Sequence, residues 1–146
     1  MKLRGNYPAT VDEKGRLKIP AVFLDALREY GKQFYITSTT GESARIYPMR
    51  VWSKIEDKLG KVSSQNRAKS KFLLRTSYFG QAVEVDGQGR VLVPAGLREA
   101  AQMKGEVDVF GKLDYLEVMN HTRVLADLKN APFTDDDAKA LEDLGI

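Results

Sequence analysis

The chain states one motif twice. DEKGRLKIPA at residues 12–21 returns as DGQGRVLVPA at residues 86–95, with Asp, Gly, Arg, Pro and Ala in one register and an offset of 74 residues. Duplication at a fixed offset constrains the fold strongly, because two half-units of one kind must bury their apolar faces together. Each copy leads into a helix-like stretch that closes on a glycine, Gly31 in the first and Gly105 in the second. A length of 146 residues suits one ordinary domain or two small, mutually dependent halves, and the duplication favours the halves.

Around each motif the residues spell strand, turn, strand and helix. Residues 7–11 and 16–19 alternate well enough for strands, and DEKG between them contains Gly15, which can take positive φ, so a β-hairpin is expected. Pro20 stops the strand and suits the first turn of a helix with Phe23, Leu24, Leu27 and Tyr30 on its apolar face. Strands follow at 34–37 and 45–47 around TTGES. The second copy repeats this order: a strand at 83–85, a turn at 87–89 with Gly89 in the place of Gly15, and a strand at 91–93. A helix after Pro94 ending at Gly105 and strands near 107–110 and 115–119 complete it.

Helical material joins and follows the copies. Val51, Trp52, Ile55 and Leu59 share one helical face after Pro48, and SSQN suits the cap of a second helix with Ala68, Phe72 and Leu73 inward. The two read as a helical hairpin. After the second copy, residues 122–129 carry Val124, Leu125 and Leu128 in a shorter helix. TDDDAKALEDLG offers a threonine cap, acids in the first turn and Ala138, Leu141 and Leu144 on one side, so a short helix and disorder are equal alternatives there. The expected fold is mainly β with helices, of α+β class. Its parts are a first repeat at 1–48, a helical connection at 49–76, a second repeat at 77–120 and a C-terminal helix with an acidic tail at 121–146.

Composition narrows the chemistry. Hydrophobic content of 42% with 29% charged residues is that of a soluble globular protein, and no apolar run approaches the length of a membrane span. The opening MKLRGNYPAT has no apolar core of a secretory signal, so a cytoplasmic protein is expected. With no cysteine and one histidine, His121, disulfides and thiol chemistry are excluded and a structural zinc site lacks ligands; no cofactor or metal is expected. There is no phosphate-binding Walker loop, and GQGR lacks the third glycine and the strand-to-helix setting of a dinucleotide site. An enzyme is therefore the least supported class. His121 reads as a surface residue at a helix start, and Trp52 as packed.

Charge points elsewhere. Residues 131–146 hold five carboxylates against one lysine, a net of −4, which leaves +7 on residues 1–130 of an overall +3. Between the repeats, Lys54, Lys58, Lys61, Arg67, Lys69, Lys71 and Arg75 face only Glu56 and Asp57. A basic body permits nucleic acid as a partner, although a lysine-rich helix face is more often simply solvated. In GRLKIP the alternation sends Leu17 and Ile19 to one face and Arg16 and Lys18 to the other, and Lys14 adds a third cation on the turn. The second copy keeps Arg90 but has Gln88 and Leu92 where Lys14 and Lys18 stand. Asp12 and Asp86, with Gly15 and Gly89, are expected to shape the turns. Arg16 and Arg90, each steadied by its carboxylate, are expected to meet phosphates or guanine edges.

These residues carry a resemblance. The chain is similar to the MraZ family of bacterial transcriptional regulators, proteins of two AbrB-like half-repeats. The match runs from about Leu3 to about Met119, through Arg4 and Gly5, DEKGRLKIPA, Tyr47 and Pro48 with Trp52 following, and DGQGRVLVPAGLREAA. It implies a swapped-hairpin, double-split β-barrel-like core and protomers assembled into a ring. It further implies binding to repeated DNA boxes ahead of the division and cell wall gene cluster, with Asp12 and Arg16, and Asp86 and Arg90, as the DNA-binding motifs. Lys14 and Lys18 join them on the charge argument as phosphate contacts, and Arg4 as a weaker addition. Leu3, YFGQA from Tyr78 and Met119 depart from the family's usual residues, at places that touch packing and subunit contact more than the DNA surface.

Two other readings of a basic β-protein stay open. An AbrB-type antitoxin would use one hairpin unit per chain and wrap its toxin with a tail; the acidic C-terminus suits that, and two fused half-units do not. An RNA- or ribosome-associated protein would display aromatics for base stacking, whereas the Tyr and Phe residues here fall mostly on inward faces.

Overall fold

The structure is a computed structural model and describes residues 2–146. In chain order the elements are β1 (Leu3–Val11), β2 (Arg16–Lys18), α1 (Ala21–Leu27), β3 (Gln33–Thr37), β4 (Ala44–Pro48), α2 (Met49–Gly60) and α3 (Arg67–Tyr78). The second half supplies β5 (Gln81–Glu84), β6 (Arg90–Leu92), α4 (Ala95–Ala100), β7 (Gly105–Leu113), β8 (Leu116–Asn120), α5 (His121–Asn130) and α6 (Asp135–Glu142). The fold is mixed α+β.

All eight strands form one antiparallel sheet in the order β5-β3-β4-β8-β7-β1-β2-β6. Its outermost strands, β5 and β6, are consecutive in the chain and joined by the second motif's turn, so the sheet curls nearly closed. Exchanging the halves, β1 for β5, β2 for β6, β3 for β7 and β4 for β8, returns the same cyclic order. The duplication in sequence is thus a pseudo-twofold in space.

The expected hairpins form only in part. β1 and β2 pair at one position, Val11↔Leu17. Their main partners lie in the other half: β1 pairs along all nine residues with β7, β2 with β6, and β3 with β5. The exchange is locked at the turns, where Ile19 N–H donates to Gly89 O at 3.0 Å and Val93 N–H to Gly15 O at 2.9 Å. The cause is the apolar pattern. Leu17 and Val91 are both fully buried and opposite one another, and the core they enter is built from both halves, with Phe23, Phe34, Leu97 and Met103 among its members. This is the swapped, double-split arrangement that the family resemblance implies.

Two helix ends differ from expectation. α1 stops at Leu27 and a 3-10 turn, Arg28–Tyr30, carries the chain to Gly31. α4 stops at Ala100, well before Gly105, because Met103 N–H reaches back to Arg98 O at 2.9 Å and swings the buried Met103 into the core. Gly105 opens β7 instead of closing the helix.

Among the helices, α2 buries Trp52 and half-buries Val51, Ile55 and Leu59, as its spacing predicts. α3 is capped by Asn66, whose side chain accepts from Lys69 N–H at 3.0 Å. Its inward residues are Phe72 and Thr76; Ala68 and Leu73 are exposed, against expectation. Anchoring at the C-terminal end explains the rotation. Thr76 O accepts from the Tyr35 hydroxyl at 3.0 Å and the Thr37 hydroxyl at 2.8 Å, and Phe72 joins Trp52 and Tyr35 in one stack. In α5 only Val124 is buried, while Leu125 and Leu128 face outward. α6 is helical, with a reciprocal capping box between Thr134 and Asp137.

His121 begins α5 and is more than a surface residue. Its Nδ1 lies 2.6 Å from Oδ2 of the buried Asp108. That hydrogen bond holds the imidazole pKa above its ordinary 6.5. The contact therefore supports the fold fully below the ordinary value and is lost as pH rises through the raised one.

Candidate nucleic-acid interface

The two motif turns are copies in atomic detail. In the first, Gly15 N–H closes the turn on Asp12 O at 2.9 Å, and in the second Gly89 N–H closes on Asp86 O at 3.1 Å. Both glycines sit at positive φ, +84° and +75°, where a side chain would be strained. Asp12 Oδ1 accepts from the backbone N–H of Lys14 and Arg16 at 3.0 and 2.9 Å. Asp86 Oδ1 accepts from Gln88 and Arg90 at 2.9 Å each. The second carboxylate oxygen takes the arginine Nε, at 2.8 Å in the Asp12–Arg16 pair and 2.9 Å in the Asp86–Arg90 pair.

This pattern divides the labour within each motif. The aspartate ties its own turn together and grips its arginine from the side. The grip is made at Nε, and the arginine side chains stay 34% and 26% exposed. Hydrogen bonds to the ionised form, first from the Arg16 and Arg90 backbone, hold the Asp12 and Asp86 pKa values below the ordinary 3.8. The turns gain this support above the ordinary value and lose it as pH falls through the lowered ones. Carboxyl carbon NMR titrations are expected to give midpoints below 3.8 for both residues; midpoints at or above it would mean that these turn bonds are absent in solution.

The β2–β6 pairing merges the two motifs. Its register is Arg16↔Leu92, Leu17↔Val91 and Lys18↔Arg90, with Leu17 and Val91 buried. Alternation then sends Arg16, Lys18, Arg90 and Leu92 to the same outer face. Arg16 and Arg90 stand on the diagonal of that ladder, about 7–8 Å apart. One chain therefore presents a single two-stranded ribbon with both motif arginines on it, not one arginine on each of two separate units.

Of the other expected residues, Lys14 lies exposed on the first turn and Lys18 faces Arg90 across the ribbon. Arg4 stands apart. It sits near the far end of β1 opposite Lys112, seven residues from Val11, or about 23 Å of extended strand. One residue of the surface, Arg98, escaped sequence reasoning. Arg98, on α4, sets its guanidinium where a Cβ on Gly15 would be, and its Nε donates to Val93 O at 3.1 Å. It brings the second half's charge behind the first half's turn. Its counterpart one repeat earlier is Leu24, packed against Gly89, so the duplication itself gave no sign of it. Leu92, 48% exposed, is an apolar side chain among the cations of the ribbon. Among the described residues no group of His, Cys, Asp and Glu could hold a metal ion, and no helix is long and apolar enough to cross a membrane.

Interlaced repeats around one exposed basic ribbon define the class, a single-chain, two-repeat α+β protein. A family described as "MraZ protein, putative antitoxin-like" matches residues 3–75 and, a second time, residues 80–144. A protein of Acidobacterium capsulatum named Transcriptional regulator MraZ is 51% identical over 144 residues, 98% of this chain and 99% of its own. One of the same name from Koribacter versatilis is 48% identical over 145 residues, with 98% and 99% covered. A third, from Moorella thermoacetica, is 38% identical over 120 residues, 82% and 81% of the two chains. The chain belongs to the MraZ family, and the relatives' names make transcription regulation its field.

Proposed function

We propose that this protein is a sequence-specific DNA-binding regulator that acts as a ring-like homo-oligomer on repeated promoter-proximal boxes. Its targets, as the family resemblance implies, lie ahead of the division and cell wall gene cluster, and it works in the cytoplasm on the nucleoid. One observation carries the reading: Arg16, Lys18 and Arg90 share the outer face of the β2–β6 ribbon, with both guanidinium groups gripped at Nε. The major groove is about 12 Å wide and admits a two-stranded β-ribbon. Arginine held from the side keeps its terminal nitrogens for guanine O6 and N7 or for phosphate, at little cost in side-chain freedom on binding.

Roles within the surface differ. Arg16 and Arg90 read base edges, whereas Lys14, Lys18 and Arg98 meet phosphates and set the register. Leu92 suits a thymine methyl group. The ribbon carries no aromatic, and Tyr35, Tyr47, Trp52, Phe72 and Tyr115 stack among themselves, which favours duplex DNA over a base-stacking RNA mode. Several ribbons joined in one assembly raise affinity through effective concentration, provided that box spacing fits the assembly.

Titration of Lys14→Ala and the parent against duplexes from just upstream of the protein's own gene, and against scrambled ones, tests the reading. Lys14→Ala is expected to weaken both duplexes alike and to lower the salt slope by about 1. A parent that binds the upstream and scrambled duplexes equally well would refute the proposed function.

A further inference from the structure

The duplication extends to the helices, and there the two copies differ in charge. The family match runs from 3 to 75 and from 80 to 144, so α2 and α3 hold the place in the first repeat that α5 and α6 hold in the second. Residues 49–78 carry eight lysines and arginines against two acids, a net of +6, while residues 121–146 carry three against six, a net of −3. Equivalent elements of one fold have acquired opposite signs.

Both pairs also leave apolar side chains uncovered. On α3, Arg67, Lys71, Leu74, Arg75 and Tyr78 follow helical spacing along one exposed stripe, with Leu74 66% and Tyr78 77% exposed. A hollow of about 380 Å³ opens beside it, bounded by Thr39, Thr40, Leu74, Arg75, Tyr78 and Phe79. On α6 every residue is exposed, as is the whole stretch 125–146, so among the described residues nothing buries this capped helix. Leu141, Leu144 and Ile146 face solvent there beside Asp136, Glu142 and Asp143.

From this we infer that the basic α3 stripe of one copy receives the acidic α6 segment of the next, with an apolar side chain of the tail seated in the hollow beside Leu74 and Tyr78. The contact rests on the homo-oligomer part of the proposed function and names the surfaces that make it. Its occupant is a second copy of this chain because the charges and the exposed apolar residues complement one another. Its geometry is head to tail. β4 and β8 are neighbouring antiparallel strands, so the two helical pairs leave the sheet in opposite directions. Joining unlike pairs leaves one basic and one acidic pair unsatisfied in any open row, and closing the row into a ring satisfies both. The acidic tail is on this account an assembly element.

Charge exchange tests it in the full-length chain without DNA, by light scattering with circular dichroism as the check on folding. One variant reverses the stripe (Arg67→Glu, Lys71→Glu, Arg75→Glu), another reverses the tail (Asp136→Lys, Glu142→Lys, Asp143→Lys) and a third carries all six. Asp137 is left alone because it caps α6. The parent is expected at several times the 16.3 kDa of one chain. Either single reversal is expected to lower that mass several-fold, and the six-fold variant to restore it. Single reversals that keep the parent's mass, or a six-fold variant that stays dissociated, would overturn the contact. A monomeric parent would overturn both the contact and the ring. An assembly that behaves as expected but binds no DNA would remove the proposed function and leave the contact standing.

Discussion

A chain with both Arg16→Ala and Arg90→Ala is expected to lose discrimination between specific and scrambled duplexes while keeping its fold and its salt-sensitive attraction to any duplex. A well-placed bidentate arginine contributes about 1–3 kcal/mol of discrimination against the wrong base. Two on one ribbon then account for about 2–6 kcal/mol, or roughly thirty-fold to twenty-thousand-fold in affinity ratio. The fold survives because Asp12 and Asp86 keep their bonds to the backbone N–H groups of residues 14, 16, 88 and 90, which alanine still supplies. Lysine at the same two positions separates charge from geometry. It keeps the positive charge but has no Nε to be gripped and no fork, so general affinity is expected to persist and specificity to fall. Fluorescence anisotropy on both duplexes reads both quantities. A double alanine variant with the parent's specificity would mean that the ribbon is not the reading surface.

That surface was legible in sequence only as parts. Strict spacing within DEKGRLKIPA and DGQGRVLVPA revealed the turn, the glycine and the outward arginine, because alternation and turn chemistry act over a few residues. The burial of Leu17 and Ile19 followed from the same alternation. What no local pattern could show is which strand each motif strand pairs with. Val11 and Leu17 are close enough for an ordinary hairpin, yet β1 takes β7 and β2 takes β6. Strand exchange between halves is decided by how both apolar sets fill one core, a property of the whole chain. Arg98 was missed for that reason, since it matters only once the halves interlace. α3 failed differently. Periodicity placed an inward face on Ala68, Phe72 and Leu73, but two hydrogen bonds to the Thr76 carbonyl turn the helix instead, and polar anchoring leaves no hydrophobic signature.

Residues 1–78 expressed alone are expected to give no cooperatively folded monomer. The first half keeps the β3–β4 pairing and the single Val11↔Leu17 bridge, and loses the partners of β1, β2, β3 and β4 that lie in β7, β6, β5 and β8. Two disconnected strand pairs do not make a stable sheet; three or more strands with a covered face are the working minimum. Leu17, Phe34, Ile36 and Ile46 are buried at 0–1% exposure in a core shared with the missing half. Uncovering such side chains costs about 1.5–3 kcal/mol each, so opening these four approaches the whole stability of an ordinary domain, about 5–15 kcal/mol. The pseudo-twofold leaves one escape, because a second copy of the half can supply strands of the missing kind. Any cooperative denaturant transition is therefore expected to shift to higher denaturant as protein concentration rises. A concentration-independent, cooperative transition from a species of one half-chain would show that the halves fold separately, and that the ribbon joining Arg16 to Arg90 is not built as described.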